Sequence, residues 1–360
     1  MLQITNVNPI LNKQFDSTNE VILVTGGCGF IGSHFIEKYL KENPNRLVIN
    51  LDLLTYAGSL DNSKNFDKLP NYKFIYGDIQ NFDLINYLIN TYNIKCIVNF
   101  AAESHVDNSI RNPNPFFSTN VNGTLQLLKA AYNNWMVAPH KYKHNIDNYM
   151  FLHISTDEVY GTLEFDDKKL FNESSKFKPT SPYAASKASS ELIATAFSKT
   201  YGLKLVITNC SNNYGPRQHE EKLIPHVITR ALNNKSINIH GNGRNMRDWI
   251  YVSDHCDALI SLFKNNSKSY ITKYNIGANN EFSNLDIVHM ICTKLDHKRP
   301  SQTLSSYKSL IKFVTDRPAN DLRYAVNCRK IHNCTGWKAK TTIDKGLDLT
   351  IEWYIKKLLE

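Results

Sequence analysis

Three side chains capable of proton chemistry, Thr156, Asp157 and Glu158, stand next to one another in the stretch HISTDEVYG. The apolar run YMFLHIS, which leads into them, is typical of a buried strand. Two neighbouring carboxylic acids can serve as an acid and a base if their surroundings move their pKa values apart. Because successive side chains of an extended segment point to opposite faces, we expect the backbone to bend here. The alternative interpretation is a solvated turn.

A tyrosine and a lysine, Tyr183 and Lys187, lie four positions apart in the helical pattern SPYAASKASSELIATAF. This spacing places them on one face of a helix, about a turn apart. A phenol has an ordinary pKa of about 10, and a neighbouring ammonium group favours the phenolate. Such a tyrosine could act as a base near neutral pH. The pair is common by chance, so it becomes specific only because it follows the fifth strand of a dinucleotide-binding pattern.

Three glycines, Gly26, Gly29 and Gly32, follow the β-branched run VILVT and lead into a helical pattern. Glycine permits a tight turn and lets a pyrophosphate approach the backbone, and the helix N-terminus offers free N–H groups. Asp52 ends the second strand-like run, 20 residues after Gly32. A carboxylate there can bond the ribose hydroxyls of NAD and would repel a 2′-phosphate. We therefore predict NAD as the cofactor.

The elements that must position these residues alternate between strand-like and helical patterns. The strand-like runs are VILVT, RLVINL, YKFIYG, CIVNFA, YMFLHIS and KLVITNC. This alternation predicts an α/β fold with a Rossmann doubly wound parallel sheet over residues 20–208. A smaller α/β substrate-binding domain is predicted for residues 209–360, with some segments returning to the first domain. Residues 1–19 are predicted to form a polar arm, and residues 134–148 a long surface connection.

Composition excludes some classes of protein. No run approaches the roughly eighteen apolar residues of a membrane span, and the N-terminus lacks a secretion signal, which favours a cytoplasmic protein. The 7 cysteines are scattered without metal-ligand spacing, so no metal site is predicted. The net charge of +9 comes without a long Lys/Arg block. An anionic small molecule or a lysine-rich surface therefore explains the charge better than nucleic acid does.

The chain resembles the nucleotide-diphosphate-glucose 4,6-dehydratases of the dTDP-glucose type, within the extended short-chain dehydrogenase/reductase family. The matching motifs are TGGCGFIGS, DLLTYAGSL, AAESHVDNSI, HISTDEVYG, SPYAASKASSE, TNCSNNYGP, EKLIP, RDWIYVSDH, YNIGANNE and DRPANDLRYA. They extend from about residue 21 to the C-terminal helix, which is nearly the whole chain. Relatives that epimerise or decarboxylate nucleotide sugars lack the aspartate of the Thr-Asp-Glu triplet.

The resemblance implies a reaction in three steps. Tyr183 takes the proton of the sugar 4-hydroxyl, oriented by Thr156, while a hydride passes from C4 to NAD. Glu158 then removes the C5 hydrogen, and Asp157 protonates the departing 6-hydroxyl. Hydride returns to C6 and gives the 4-keto-6-deoxy sugar, a step toward deoxysugars such as rhamnose.

The resemblance also implies which residues hold the two ligands. Those expected at NAD are Gly26, Gly29, Phe30, Ile31, Gly32, Asp52, Thr55, Asp78, Ile79, Ala101, Ala102, Ser104, Thr119, Tyr183, Lys187 and Asn213. Those expected at the nucleotide-diphosphate glucose are Ser104, Thr156, Asn212, Lys222, Leu223, Asn238, His240, Arg247, Asn275, Asp316, Arg317 and Asn320. A homodimer is implied through helices near 115–135 and 181–200.

Some alternatives stay open at this stage. A nucleotide-sugar 4-epimerase or decarboxylase would share the fold. A non-catalytic NAD-binding scaffold and an RNA binder are further hypotheses of other classes. The base of the substrate, thymine or uracil, is also open, because one methyl group contributes only about 1 kcal/mol of apolar contact.

Overall fold

The computed structural model describes residues 20–264 and 269–359, and the predicted polar arm, residues 1–19, lies outside them. In chain order the strands are β1 (Val21–Thr25), β2 (Leu47–Asp52), β3 (Tyr72–Tyr76), β4 (Cys96–Asn99), β5 (Met136–Ala138), β6 (Lys141–Tyr142), β7 (Met150–Thr156), β8 (Leu205–Cys210), β9 (Asn212–Tyr214), β10 (Ile237–His240), β11 (Met246–Tyr251), β12 (Ile271–Ile276), β13 (Glu281–Ser283) and β14 (Ile311–Val314). The α-helices are α1 (Phe30–Glu42), α2 (Phe82–Thr91), α3 (Val106–Arg111), α4 (Asn114–Phe116), α5 (Thr124–Trp135), α6 (Pro182–Tyr201), α7 (Leu223–Leu232), α8 (Val252–Leu262), α9 (Asn284–Lys298), α10 (Arg329–Thr335) and α11 (Ile343–Leu359). A π-helical segment, Phe117–Gly123, joins α4 to α5.

The main sheet has seven parallel strands in the order β12-β8-β7-β4-β1-β2-β3. The six strand-like runs of the sequence form six of these strands, and the predicted Rossmann-type sheet is confirmed. The chain winds outward in both directions from β1 and β4, so the topological switch point lies between them. In open sheets of this kind, ligands bind at the carboxyl ends of the strands at that point.

Helices cover both faces of the main sheet. Ile22 and Val24 of β1 pack on the side of α1 and α8, whereas Leu23 packs on the side of α2, α5 and α6. This burial on both faces explains why the strands are continuous apolar runs rather than alternating ones. β12 and α8 come from beyond residue 208, yet they belong to the layers of this sheet.

A second core lies among α7, α9 and α11. Two small sheets accompany it: β10 pairs with β14, and β11 lies between β13 and β9. Within the described part of the chain, no helix combines the length and apolar character needed to cross a membrane.

The surface connection predicted for residues 134–148 is more ordered than expected, although most of residues 137–148 are exposed. Residues 134–135 complete α5, and β5 and β6 form an antiparallel pair directly after it. Trp135 is only 1% exposed, and its indole N–H donates to the carbonyl of Ile94 at 2.7 Å. The aromatic ring therefore anchors a segment whose polar composition suggested a loop.

Candidate active site

A cavity of about 310 Å³ lies at the carboxyl end of the main sheet, across the switch point between β1 and β4. Its walls come from the glycine-rich turn after β1 and from the residues that follow β2, β3, β4, β7 and β8. The segment 218–222, just before α7, closes it on the remaining side. All of the residues predicted to bind NAD line this cavity.

The glycine-rich turn leaves no space for a side chain at Gly26 or Gly32. Gly26 has φ +71°, and a Cβ there would lie 2.7 Å from the backbone nitrogen of Ala101. A Cβ on Gly32 would lie 2.4 Å from the carbonyl oxygen of Gly26. Gly29 caps α1 without a side-chain hydrogen bond, and the first turn contains no acidic residue. The N–H groups and positive end of α1 are thus available to an anion such as a pyrophosphate.

Asp52 is nearly buried at the end of β2, and the backbone fixes its carboxylate. Oδ2 accepts from the N–H of Cys28 and Oδ1 from the N–H of Leu54, both at 2.8 Å. Burial raises the pKa of Asp52, and these two hydrogen bonds oppose the rise. Each carboxylate oxygen keeps a lone pair for a ribose hydroxyl, so the site fits NAD and disfavours a 2′-phosphate.

The expected bend occurs directly after β7. The strand ends at Thr156, and a single 3₁₀ turn, Asp157–Tyr160, follows. The hydroxyl oxygen of Thr156 accepts from the N–H of Glu158 at 3.3 Å, which caps this turn. Both neighbouring acids consequently line the same cavity.

The two acids have different surroundings. Asp157 is 2% exposed, and among the described residues its Oδ2 has no hydrogen-bond partner. Burial raises the pKa of Asp157 well above its usual range, and Glu158 and Asp248 add to the effect. A neutral carboxyl group with a free donor position is suited to work as an acid.

Glu158 is partly exposed and faces several cations. Burial raises its pKa, but Arg317, Lys222 and Arg247 all oppose the rise. Only Arg247 among these three opposes the rise for Asp157. The cations therefore favour the carboxylate form of Glu158, which can work as a base. The different surroundings of the two acids thus assign the acid role to Asp157 and the base role to Glu158.

The tyrosine and lysine lie on α6, which Ser181 caps by accepting from the N–H of Ala184 at 3.1 Å. The ammonium group of Lys187 donates to the carbonyl of Ile154 on β7 at 2.7 Å. Burial lowers the pKa of Lys187 to about 8, with Glu191 and Cys210 opposing the change. Burial also raises the pKa of Tyr183 well above its usual value. Without ligands the site thus favours a neutral phenol at Tyr183, contrary to the phenolate expected from its lysine neighbour.

The predicted substrate residues divide into two groups. Ser104, Thr156, Asn212 and Lys222 line the cavity, and Lys222 Nζ donates to the carbonyl of Ser104 at 2.8 Å. Those that lie outside its walls are Leu223, Asn238, His240, Arg247, Asn275, Asp316, Arg317 and Asn320. Leu223 begins α7, and Asn238 and His240 lie on β10.

Asn275 differs most from its expected role. It is completely buried on β12, its Oδ1 accepts from the Tyr160 hydroxyl at 2.8 Å, and its amide donates to the carbonyl of Phe171 at 3.2 Å. The protein itself uses these polar groups. The structure therefore places Asn275 as a link between β12 and the loop before α6, away from the cavity.

Arg247 is a buried cation close to the two acids. Its guanidinium group donates to the backbone carbonyls of Met246 and Asp321 at 2.8 and 2.9 Å and stacks on the ring of Tyr324 at 4.3 Å. It also donates to Asn320, which in turn donates to Asp316. Because neutral carbonyls hold the guanidinium in place, its charge is available to an anion.

Sequence reasoning missed Gln218 and Glu221 as parts of the cavity wall, whereas it interpreted His219 as structural or substrate-lining. All three line the cavity, and the hydroxyl of Tyr56 donates to Glu221 at 3.3 Å. Glu221 lies in the matched stretch EKLIP and Tyr56 in DLLTYAGSL. The motifs were therefore visible, but their spacing could not reveal a contact between segments 165 residues apart.

Comparisons with known proteins agree with this geometry. Residues 23–350 match the model of the GDP-mannose 4,6 dehydratase family. A dTDP-glucose 4,6-dehydratase of Xanthomonas campestris pv. campestris (strain B100) is 43% identical over 92% of each chain. A crystal structure of a dTDP-glucose 4,6-dehydratase from Bacillus anthracis str. Ames in complex with NAD matches with a TM-score of 0.80 at 40% identity, covering 95% of this chain and 100% of that one. The dTDP-glucose 4,6-dehydratase DesIV from Streptomyces venezuelae, with NAD and TYD bound, matches with a TM-score of 0.81 at 38% identity, covering 93% and 97%.

Proposed function

The chain belongs to the dTDP-glucose 4,6-dehydratase family, and from this premise we propose that it converts dTDP-glucose to the 4-keto-6-deoxy nucleotide sugar with NAD as cofactor. It is a nucleotide-sugar 4,6-dehydratase, a lyase that removes one water from its substrate. An epimerase or decarboxylase of the same fold is not what the relatives indicate.

The observation that carries this function is the pair Asp157 and Glu158. Elimination across C5 and C6 needs a base for one carbon and an acid for the oxygen on the next. A buried carboxyl group, one oxygen of which has no hydrogen-bond partner in the described part of the chain, lies beside a second acid whose carboxylate form three cations favour. Inversion of configuration at C4 alone would not require both a protonated and an ionised carboxyl group.

Each residue of the constellation has a role in this proposal. Thr156 orients the 4-hydroxyl, and Tyr183 accepts its proton beside the ammonium group of Lys187. The cofactor, when bound, supplies the hydride exchange that leaves the overall reaction redox-neutral and a positively charged ring that favours the phenolate. Once C4 is a ketone, Glu158 takes the acidified C5 proton. Asp157 gives its proton to the departing 6-hydroxyl, which leaves as water.

The remaining predicted substrate residues are assigned to the diphosphate and to the nucleotide base of the substrate. Arg247 and Lys222 are the cations best placed to neutralise two phosphates, since one is held by carbonyls and the other lines the cavity. We propose thymine as the preferred base from the relatives' substrate. A methyl contact contributes about 1 kcal/mol, so we expect only about a fivefold preference over uracil.

Several earlier expectations stay predictions. They are the division into domains at residue 208, a homodimer formed through α5 and α6, a cytoplasmic location and a place in deoxysugar formation.

A product assay tests the function directly. Purified protein is incubated separately with dTDP-glucose and UDP-glucose, without added NAD, and products are identified by mass and proton NMR. Loss of one water together with a new C6 methyl signal is the expected result, faster with dTDP-glucose. An isomeric product would instead indicate an epimerase. No water loss from either substrate with NAD supplied would overturn the roles of Asp157 and Glu158.

A further inference from the structure

A buried carboxylate lies one helical turn beyond Lys187 and has no role in the reaction just proposed. Glu191 of α6 is 1% exposed. Its Oε1 accepts from the hydroxyl of Ser155 at 2.5 Å and from the side-chain amide of Asn209 at 2.6 Å. Its Oε2 lies 3.0 Å from the ammonium group of Lys273 on β12. Burying a charged group is costly unless it is paired in this way, so its position in the interior calls for an explanation.

The hydrogen bonds of Glu191 lead to the catalytic turn. Ser155 is the residue before Thr156 at the end of β7. Asn209 on the neighbouring strand β8 also donates its amide to the carbonyl of Thr156, at 2.9 Å. One carboxylate thus holds both of the last two residues of β7, one directly and one through an amide. The turn that carries Asp157 and Glu158 begins from this fixed point.

The charge of Glu191 acts on Lys187. Burial lowers the pKa of Lys187 to about 8, and Glu191 is the largest opposing influence, followed by Cys210 on β8. Two further titratable groups must be considered around Lys187. Tyr183, one turn earlier on α6, has its pKa raised well above its usual value by burial, which favours the neutral phenol. His153 on β7 has its pKa lowered well below its usual value by burial and by Lys187. His153 is therefore neutral near pH 7 and does not compete for this role.

Lys273 limits the effect of Glu191. It pairs with the carboxylate and also lies over the rings of Tyr160 and Phe177, 4.7 and 4.3 Å from their centres. Removing Lys273 leaves more of the negative charge to act on Lys187. Removing the charge of Glu191 leaves the positive charge of Lys273 without the carboxylate that pairs with it at 3.0 Å. The two changes must therefore move Lys187 in opposite directions.

We propose that Glu191 is a positioning residue for the dehydration, which anchors the end of β7 that carries Thr156 and holds Lys187 in its ammonium form. This inference rests on the proposed function for its role in catalysis, but the contacts and charge coupling can be measured without turnover.

The test measures the protonation of Lys187 in the full chain. Competitive acetylation of amines as a function of pH, read by mass spectrometry of the peptide containing Lys187, gives its titration midpoint. We expect Glu191→Gln to lower the midpoint by about one pH unit or more, as for a unit charge about 6 Å away at an effective dielectric constant of about 20. Lys273→Met is expected to raise it. The alkaline limb of the pH profile of kcat should follow in each case.

Asn209→Ala is the matched control, because it disconnects Glu191 from Thr156 without changing a charge. It should leave the midpoint of Lys187 in place while kcat falls by about tenfold or more, with KM nearly unchanged. An unchanged kcat in this variant would overturn the anchoring role.

The outcomes separate this inference from the proposed function. Midpoints that stay in place in both folded charge variants, or that move in the same direction, would overturn the charge coupling. If Glu191→Gln does not fold, Lys273→Met decides by the upward shift alone. A wild-type protein that dehydrates no nucleotide glucose would refute the proposed function, whereas the acetylation midpoints would still test the charge coupling between Glu191 and Lys187.

Discussion

Replacing Asp157 with asparagine should separate the steps of the reaction. The substitution keeps the shape of the side chain and removes its acidic proton. Asp157 is 2% exposed, so bulk water has little access to replace the lost acid. A positioned general acid contributes about 10²–10⁴-fold, and the dry surroundings favour the middle to upper part of that range. We expect water loss to slow by about 10³-fold, which corresponds to about 4 kcal/mol of transition-state stabilisation.

Oxidation at C4 should continue in Asp157→Asn, because Thr156, Tyr183 and Lys187 are unchanged. Removal of the C5 proton should also continue, because Glu158 keeps its cations. The assay is a single turnover of dTDP-glucose in deuterated water with the NAD-loaded enzyme. Absorbance of the reduced cofactor reports C4 oxidation, proton NMR reports exchange at C5, and mass reports loss of water. The expected pattern is that the first two signals persist and the third nearly disappears.

Two results would refute this reasoning. Dehydrated product formed within about tenfold of the wild-type rate would mean that another group donates the proton. Loss of C4 oxidation together with water loss would mean that Asp157 acts by holding the site together rather than as an acid. Circular dichroism and NAD content of the variant exclude a trivial loss of fold in either case.

Three further predictions use other parts of the site. Glu158→Gln should retain C4 oxidation but lose deuterium exchange at C5, as read by proton NMR; retained exchange would exclude Glu158 as the base. Burial lowers the pKa of Lys187 from 10.5 to about 8, so the unfolded chain binds more protons than the folded one between these pH values. The contribution of Lys187 to the free energy of unfolding should therefore rise by up to about 3 kcal/mol from pH 8 to pH 10.5. Urea unfolding at both ends of that window should show this rise in the wild type relative to Lys187→Met, and an identical pH dependence in both would contradict it. Gly32→Ala should lose NAD binding, measured by cofactor titration, because its Cβ would lie 2.4 Å from a carbonyl oxygen; Gly336→Ala, whose Cβ meets nothing within 4 Å, should cost some stability from its φ of +73° but leave NAD binding unchanged.

The main sheet was predictable because its strands carry a strong local signal. Ile22, Leu23 and Val24 are buried on alternating faces, so the whole run is apolar and ends at glycines. β12, ITKYNI, has a weaker signal because polar residues interrupt it, and its place beside β8 depends on a long-range pairing. Trp135 was assigned to a surface connection for a similar reason. Polar residues precede it in the sequence, and its burial depends on contacts with Ile94 and Tyr149, which a local pattern does not show.

The types of the site residues were predictable, but their protonation was not. The order Thr-Asp-Glu after an apolar run identifies two acids, yet it cannot say that Asp157 is dry while Glu158 faces cations. One of those cations, Arg247, lies about ninety residues further along the chain. Glu191 was overlooked because SELIATAF reads as an ordinary helix with a solvated glutamate. Only the packing of α6 against β7 and β8 places that carboxylate between Ser155 and Asn209.

The same burial has opposite consequences for the acid and the phenol. It holds the proton on Asp157, which suits a group that must deliver a proton late in the reaction. It also holds the proton on Tyr183, which must lose it before it can act as a base. A positive charge beside the phenol would release that proton. The ammonium group of Lys187, one turn further along α6, and an oxidised nicotinamide ring held in the cavity that both residues line would each supply one. The two groups therefore differ in what would free their protons: Asp157 would give its proton to the departing hydroxyl of the substrate, whereas Tyr183 would lose its proton only when a positive charge lies beside it.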